Sequence, residues 1–150
     1  MSFTPTDPHY REKVEASFAR QQFMHTIGAR LLAITPGQCD IALPYTAALS
    51  QQHGYFHAGI VATLADNAAG YAAFTLMPAE TSVLTVEFKL NLLSPANGDQ
   101  MISRGRVIKT GRTLTICRSN VYTGTHDNEK LCATALLTMM TVRGREEKEN

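Results

Sequence analysis

The segment His57–Leu76 constrains this chain more than any other. It is rich in alanine and meets no proline until Pro78. Ile60, Val61, Leu64, Ala65, Ala68, Ala72 and Leu76 fall at helical spacing. From Ala58 to Ala79 the only charged side chain is Asp66. A helix that is apolar almost all round is a buried helix. The remainder of the 150-residue chain, one domain's worth, must therefore wrap it.

The flanking patterns supply the wrapping. Thr6 or Asp7 caps a first helix that carries Pro8 in its first turn and runs to about Arg20. Val14, Phe18 and Phe23 form its apolar stripe, and Gln21–Gln22 reads as a polar linker. Ala29–Ile34 and Gln38–Leu43 read as a hairpin through Thr35-Pro36-Gly37. Tyr45–Phe56 is the longest connection. Beyond the central helix, Thr85–Leu92 alternates cleanly: Val86, Phe88, Leu90 and Leu92 face one way, Thr85, Glu87, Lys89 and Asn91 the other. A turn at Ser94–Gly98 follows, then strands Gln100–Lys109 and Arg112–Tyr122 joined at Thr110-Gly111. A polar loop Gly124–Asn128 leads to a long strand Leu131–Val142, and the charged tail Arg143–Asn150 frays. Helix, two strands, buried helix and four strands predict an α+β fold, a mostly antiparallel sheet around one long helix.

Composition excludes several functions. Fourteen basic residues against 13 acidic leave a net charge of +1, too little for the field of a nucleic-acid or anionic-membrane binder. No helix-turn-helix pattern is visible, and no apolar window approaches a membrane span. The start MSFTPTDPHYREKVEAS lacks the basic and apolar regions of a signal peptide. Cys39, Cys117 and Cys132 are odd in number, widely spaced and free of CxxC, which argues against a disulfide framework or zinc ribbon. They read as small buried hydrophobes in strands, and Met139-Met140 as core or interface packing. A soluble, reducing, cytoplasmic setting is expected.

Asp66 is the residue to explain. A lone carboxylate in apolar surroundings costs several kcal/mol to desolvate unless it is paired or faces a cavity. The plainer alternative is an exposed edge or a loop cap. Upstream, Gln51-Gln52-His53-Gly54-Tyr55-Phe56-His57-Ala58-Gly59 runs from a loop into the start of the helix. Small residues at Ala58 and Gly59 let a ligand reach the first-turn N–H groups, which with the helix dipole suit an oxyanion. Gly54 and Gly59 are equally explained by turn chemistry. Lys109-Thr110-Gly111-Arg112-Thr113-Leu114 is either a phosphate-holding hairpin or a polar surface turn. His53 and His57 lack an evident third ligand, so no metal site is expected. Ser50, Ser94 and Ser103 lack a nucleophile elbow.

These motifs resemble the hotdog-fold acyl-CoA thioesterases of the phenylacetyl-CoA thioesterase (PaaI) type. That pattern has an Asn, a Gly three residues before His-Gly-Gly, and Leu-x-Asp within the hotdog helix. Here Gln51 stands at the Asn position, Gly54 at the Gly, His57-Ala58-Gly59 for His-Gly-Gly, and Leu64-Ala65-Asp66-Asn67-Ala68 for the acidic motif. Thr85-Val86-Glu87, Leu93-Ser94-Pro95-Ala96 and Val107-Ile108-Lys109-Thr110-Gly111-Arg112 extend the match over roughly residues 22 to 142. The resemblance implies a hotdog domain at 22–142, preceded by a helical segment at 1–21 and followed by a flexible tail at 143–150.

It also implies roles. Asp66 attacks the thioester or activates water, the Ala58 N–H polarises the carbonyl, Gln51 orients carbonyl or water, and Thr85 places a hydroxyl near the carboxylate. His57, Gly59 and the hairpin Lys109, Thr110, Gly111, Arg112, Thr113 and Leu114 bind substrate. The site lies across a dimer interface, Gln51 and Ala58 from one chain meeting Asp66 and Thr85 from the other. Two departures stand out: Gln51 is one methylene longer than Asn, and Ala58 adds a methyl where the family has Gly.

The sequence thus reads as an enzyme, an acyl-CoA hydrolase releasing free acid and coenzyme A. It needs no cofactor, coenzyme A being part of the substrate, and works as a homodimer or dimer-of-dimers tetramer. The Tyr45–Phe56 loop and the central helix shape the acyl pocket, with Phe56, Tyr71 and Phe74 as contacts or core. The alternative is a non-catalytic module binding acyl-CoA or an aromatic ligand on the same fold. A hydratase would need a paired Asp and His that are not found.

Overall fold

The computed structural model describes residues 3–125 and 128–144. Two helices, α1 (Tyr10–Arg20) and α2 (Gln22–Ile27), precede strands β1 (Arg30–Thr35) and β2 (Gln38–Pro44). A 3₁₀ turn at Ala47–Leu49 leads to the central helix α3 (Ala58–Phe74). Strands β3 (Thr81–Leu92), β4 (Gln100–Thr110), β5 (Leu114–Thr125) and β6 (Asn128–Arg143) complete the chain. All six strands join one antiparallel sheet in the order β1-β2-β4-β5-β6-β3. The sheet curls around α3, giving the expected α+β hotdog fold. Among the described residues no helix is long and apolar enough to cross a membrane.

The helix lies close to the sheet because the facing residues are small. Leu64, Ala68, Ala69, Ala72 and Ala73 of α3 are fully buried. Opposite them stands Gly105 of β4, where a Cβ would strike the Ala68 carbonyl and the Ala69 nitrogen. Beside Gly105, the buried Ser103 and Ser119 hydroxyls satisfy each other at 2.7 Å. The outer face of the sheet is polar: Arg106 pairs with Asp40, and Arg104 bonds Glu129 at 2.8 Å while stacking over Tyr122. Cys39, Cys117 and Cys132 are free and buried in strands, their thiols pushed up to about 12, 12 and 11 by desolvation.

The N-terminal region departs from the sequence reading. α1 starts at Tyr10, not in the Pro8 turn, and neither Thr6 nor Asp7 is its cap. The Asp7 carboxylate instead accepts the His9 N–H at 2.9 Å and pairs with Lys13 at 3.4 Å. Lys13 donates to the Met77 carbonyl at 2.7 Å and lies over the Phe74 ring, while Thr6 donates to the Leu76 carbonyl. These bonds strap α1 to the C-terminal end of α3. Burial lowers the Lys13 pKa, with Asp7 opposing. Gln21–Gln22 is no linker, since Gln22 already begins α2. The break at Gln21 turns Met24 and Ile27 inward and leaves Phe23 outside, 51% exposed, so the Val14–Phe18–Phe23 stripe does not continue. Val14 and Phe18 belong to the same core as α3, so α1 is packed against the sheet-wrapped helix and is not a separate segment.

β3 differs in a way that bears on the site. The alternation predicts Thr85 and Glu87 on one face and Phe88 on the other. The structure has a bulge between Thr85 and Glu87 that shifts the register: Thr85 pairs with Met139, Glu87 with Thr138 and Phe88 with Leu137. Thr85 and Phe88 therefore share the helix side, and Val86 is squeezed out of the ladder. β3 is also an edge strand, and Val86, Phe88 and Leu92 are 54%, 47% and 55% exposed in the single chain.

The remaining differences are at element ends. The β4–β5 turn is Gly111–Thr113 rather than Thr110-Gly111, closed by Gly111 N–H to the Leu114 carbonyl at 2.8 Å. The expected loop Gly124–Asn128 is mostly ladder: Gly124 pairs with Glu129 and Thr125 with Asn128, while 126–127 lie outside the described residues. Arg143 ends β6, and 145–150 of the expected tail also lie outside them.

Glycine inside a strand is ordinarily weaker than alanine, yet Gly105→Ala should destabilise the protein by about 2 kcal/mol, because the helix backbone must retreat. Urea denaturation of parent and variant measures this.

Candidate active site

The bulge in β3 aims a hydroxyl at a carboxylate. Thr85 Oγ1 donates to Asp66 Oδ1 at 2.8 Å. Asp66 sits mid-helix on α3, half-buried, so it is the cavity-facing and not the loop-capping carboxylate. Desolvation pushes its pKa above the ordinary 3.8, and the Thr85 bond, which favours the charged form, pulls the other way. The two line a cavity of about 310 Å³, walled by Gly70 and Tyr71 of α3, Val83 and Leu84 of β3, Ser17 of α1 and Gln21 at the break before α2.

The second cluster is built at the start of α3. An isolated bridge, Ser50 to Phe56, closes the loop. Inside it Gly54 takes φ +80°, its N–H bonds the Gln51 carbonyl at 2.9 Å, and the Gln51 N–H bonds the Tyr55 carbonyl at 2.8 Å. The Gln51 side-chain oxygen accepts the His53 N–H. His57 is the helix N-cap: its Nδ1 accepts the Gly59 N–H at 2.9 Å, and its carbonyl takes those of Ile60 and Val61. The Gly59 donor is thus already used. Among the described residues Ala58 is the first-turn N–H with no acceptor inside the chain. Gln51, Ala58, Phe56, Leu92 and Leu93 line a cavity of about 410 Å³.

Within one chain these clusters stay apart. Ala58 and Asp66 are separated by eight residues of helix, roughly 12 Å. The structure brings Asp66 together with Thr85, and Gln51 with Ala58, but does not join the pairs. Among the described residues no three of His, Cys, Asp and Glu gather as a metal-ligating set.

The β4–β5 hairpin forms a third feature. Lys109 and Thr110 end β4 and Leu114 starts β5. Arg112 and Thr113 in the turn, with Thr141 and Arg143 of β6, line a hollow of about 320 Å³. Arg143 was not singled out from sequence, because only the β5–β6 pairing brings it to Arg112. Of the candidate acyl contacts, Tyr71 faces the Asp66 cavity and Phe56 the Gln51 cavity. Phe74 faces neither: it is 2% exposed and packs in the core against Tyr71 and under Lys13. The Tyr45–Phe56 loop borders the Gln51 cavity through Gln51, Tyr55 and Phe56. The walls of the Asp66 cavity include Ser17, Arg20 and Gln21, whose part no spacing signal disclosed.

The thioesterase superfamily sequence profile matches residues 53–130. The chain belongs to the thioesterase superfamily. It is a thioester hydrolase. A thioesterase family protein from Silicibacter pomeroyi is 49% identical, with TM-score 0.88 over 90% of this chain and 99% of that one. The Escherichia coli PaaI protein of the phenylacetic acid degradation operon shares the fold at TM-score 0.81 and 17% identity, over 90% of this chain and 94% of that one. The 1,4-dihydroxy-2-naphthoyl-CoA hydrolase of Listeria monocytogenes is 23% identical over 120 residues, 80% of this chain and 95% of that one. The thioesterase profile spans Ala58, Asp66, Thr85 and the hairpin. It leaves out Gln51 and both N-terminal helices.

The raised Asp66 pKa has a signed consequence for stability. Folding here favours the protonated acid, so this contribution is complete below about pH 3.8 and is lost as pH rises through the folded-state value. Asp66→Asn should therefore be more stable than the parent at pH 7. The gap in Tm should shrink toward pH 3, as thermal melts across that range will show.

Proposed function

We propose that this thioesterase hydrolyses acyl- or aryl-CoA esters at a site shared by two copies of the chain, with Asp66 as nucleophile or general base. The observation that carries this is the Thr85–Asp66 pair: the single carboxylate of an apolar helix, partly desolvated, held by one hydroxyl and open to a cavity. Such a group is a stronger base than a solvated aspartate and is fixed in direction.

The case for two copies comes from β3. The Asp66 cavity borders Val83–Thr85 and the Gln51 cavity borders Leu92 and Leu93. If two β3 edges pair antiparallel about a two-fold axis near Phe88 and Lys89, Thr85 of one chain comes opposite Leu92 of the other. Each Asp66 cluster then meets a partner Gln51–Ala58 cluster, and the exposed Val86, Phe88 and Leu92 are covered.

In that arrangement the Ala58 N–H and the helix dipole draw charge onto the thioester oxygen. The Gln51 amide orients the carbonyl or the water. Water, deprotonated by Asp66, adds to the carbonyl carbon; the C–S bond breaks and the thiolate takes the proton. Alternatively Asp66 itself adds, and water cleaves the resulting anhydride. Both routes yield the free acid and coenzyme A and need no metal or redox cofactor. His57 and Gly59 hold the shape of the oxyanion end. Lys109, Thr110, Gly111 and Leu114 frame the turn that presents Arg112 and Thr113, which with Arg143 supply guanidinium and hydroxyl donors for the coenzyme A phosphates. Three free, buried cysteines fit a reducing, cytoplasmic setting.

Asp66→Asn should lower thiol release from acyl-CoA at least a hundredfold while leaving the circular dichroism spectrum intact; parental turnover would remove Asp66 from the chemistry. Gln51→Ala and Asp66→Asn chains, each inactive alone, should recover activity when co-refolded. Random pairing makes about a quarter of all sites intact. Heterodimers confirmed by mass spectrometry but devoid of activity would refute the shared site.

Arg112→Ala should raise KM for an acyl-CoA several-fold more than for the matching acyl-pantetheine, which lacks the nucleotide phosphates. Equal changes on both would place Arg112 elsewhere.

A further inference from the structure

Neither packing nor the chemistry described so far calls for Asn67 in α3. An asparagine in a helix interior is less favourable than an alanine, because its amide competes for backbone bonds. Ala65, Ala68 and Ala69 stand beside it, and position 67 is only half-buried, so a methyl would serve the packing. Asn67 follows Asp66 directly and lines the same cavity.

Its amide is held one way round. Nδ2 donates to the Thr63 carbonyl at 3.0 Å. A carbonyl only accepts, so the nitrogen must face Thr63, and Oδ1 turns away from that backbone. One turn earlier the Thr63 hydroxyl is tied back in the same way, donating to the Gly59 carbonyl at 2.9 Å. At Asp66 the Thr85 hydroxyl is spent on Oδ1. On the side of the cavity made by α3 and β3, these donors are therefore used within the protein, while Asp66 Oδ2 and Asn67 Oδ1 are acceptors on successive residues. Val83 and Leu84 bring no polar side chain to that side.

Two neighbouring acceptors fit a molecule that offers two donors and keeps a lone pair. Water is the smallest such molecule, and hydrolysis consumes one. We infer that Asp66 Oδ2 and Asn67 Oδ1 hold the attacking water between them, each taking one of its hydrogens, and that Asp66 acts as general base and not as nucleophile. The lone pair of a water held this way points away from both acceptors, toward the thioester carbon. The oxygen forms the new C–O bond as one proton passes to Asp66. The C–S bond then breaks, and the thiolate receives that proton. The other hydrogen stays on the new hydroxyl beside Asn67 and leaves with the free acid. A carboxylate alone lets its water swing about one bond; a second fixed acceptor removes that freedom. Attack by Asp66 itself has no use for Asn67. This inference rests on the acyl-CoA reading above and chooses between its two routes.

The test uses the full-length chain and whichever of acetyl-, hexanoyl- and benzoyl-CoA it cleaves fastest. In a single turnover in oxygen-18 water, with enzyme in excess, the released acid should carry the label and Asp66 should not. Asn67→Ala should lower kcat about thirtyfold and leave KM within about twofold of the parent. Its Tm should hold or rise, alanine being the better helix former. The acid limb of its pH–rate profile, set by Asp66, should stay in place. Label in Asp66 and not in the acid would show direct attack. Parental kcat in Asn67→Ala would show that the water is held without it, and a displaced acid limb would show that Asn67 works only by setting Asp66. Any of these three results overturns the inference and leaves the acyl-CoA reading standing. Failure to release thiol from all three esters overturns both.

Discussion

The close approach of α3 to the sheet governs the rest of the molecule. It depends on a patch without side-chain bulk: the alanines at 68, 69, 72 and 73 against Gly105. A helix lying this close fills the inside of one curled sheet, so the chain needs no second layer. The helix covers the middle strands β2, β4 and β5 more fully than β3. That strand is left at the edge with Phe88 and Leu92 turned toward the helix side yet uncovered. The same geometry that makes the core thus exposes an apolar strip beside the cavity holding Asp66.

How far this was legible from the residues differs by level. The central helix was plain because its composition is extreme, and the strands because turns at Pro36-Gly37 and Ser94–Gly98 separate them. Asp66 stood out for the same reason: one charge among apolar residues. The bulge at Val86 could not be read. Alternation in sequence assumes an unbroken ladder, and a single extra residue reverses every later side chain. Reading straight through it put Thr85 on the face of Glu87; the structure puts it on the face of Phe88, where it reaches Asp66. The N-terminal walls of the cavity were hidden for another reason. Ser17 and Gln21 carry no local signal, and their place depends on Lys13 and Thr6 finding carbonyls some 65 to 70 residues away. Arg143 likewise becomes Arg112's neighbour only through pairing of β5 with β6.

The two departures from the family pattern look different once the loop is seen. Gln51 has a place in the loop besides its proposed role: its side-chain oxygen accepts the His53 N–H and its backbone closes the turn with Gly54 and Tyr55. The extra methylene lets one residue brace the loop and still lie at the cavity wall. At Ala58 the backbone N–H is what the proposed chemistry uses, and any residue but proline has one. The added methyl faces an exposed helix start, where a single chain has room for it.

Asp66 also shows why a hydroxyl belongs at position 85. In one chain the carboxyl is half-buried and its pKa already rises from desolvation. Docking a second copy over β3, as proposed, would remove more water from the site and push the acid further toward its neutral form, which can neither attack nor accept a proton. A donor bonded to the charged oxygen opposes that drift. Thr85 provides it at 2.8 Å without adding a charge of its own, so it offsets part of the upward shift that burial causes and leaves the rest. A lysine or arginine there would pull the pKa down and make Asp66 a weaker base; a valine would remove the bond that opposes desolvation and let the pKa rise further. The bulge that brings a neutral hydroxyl to this spot therefore belongs to the proposed chemistry as much as to the sheet.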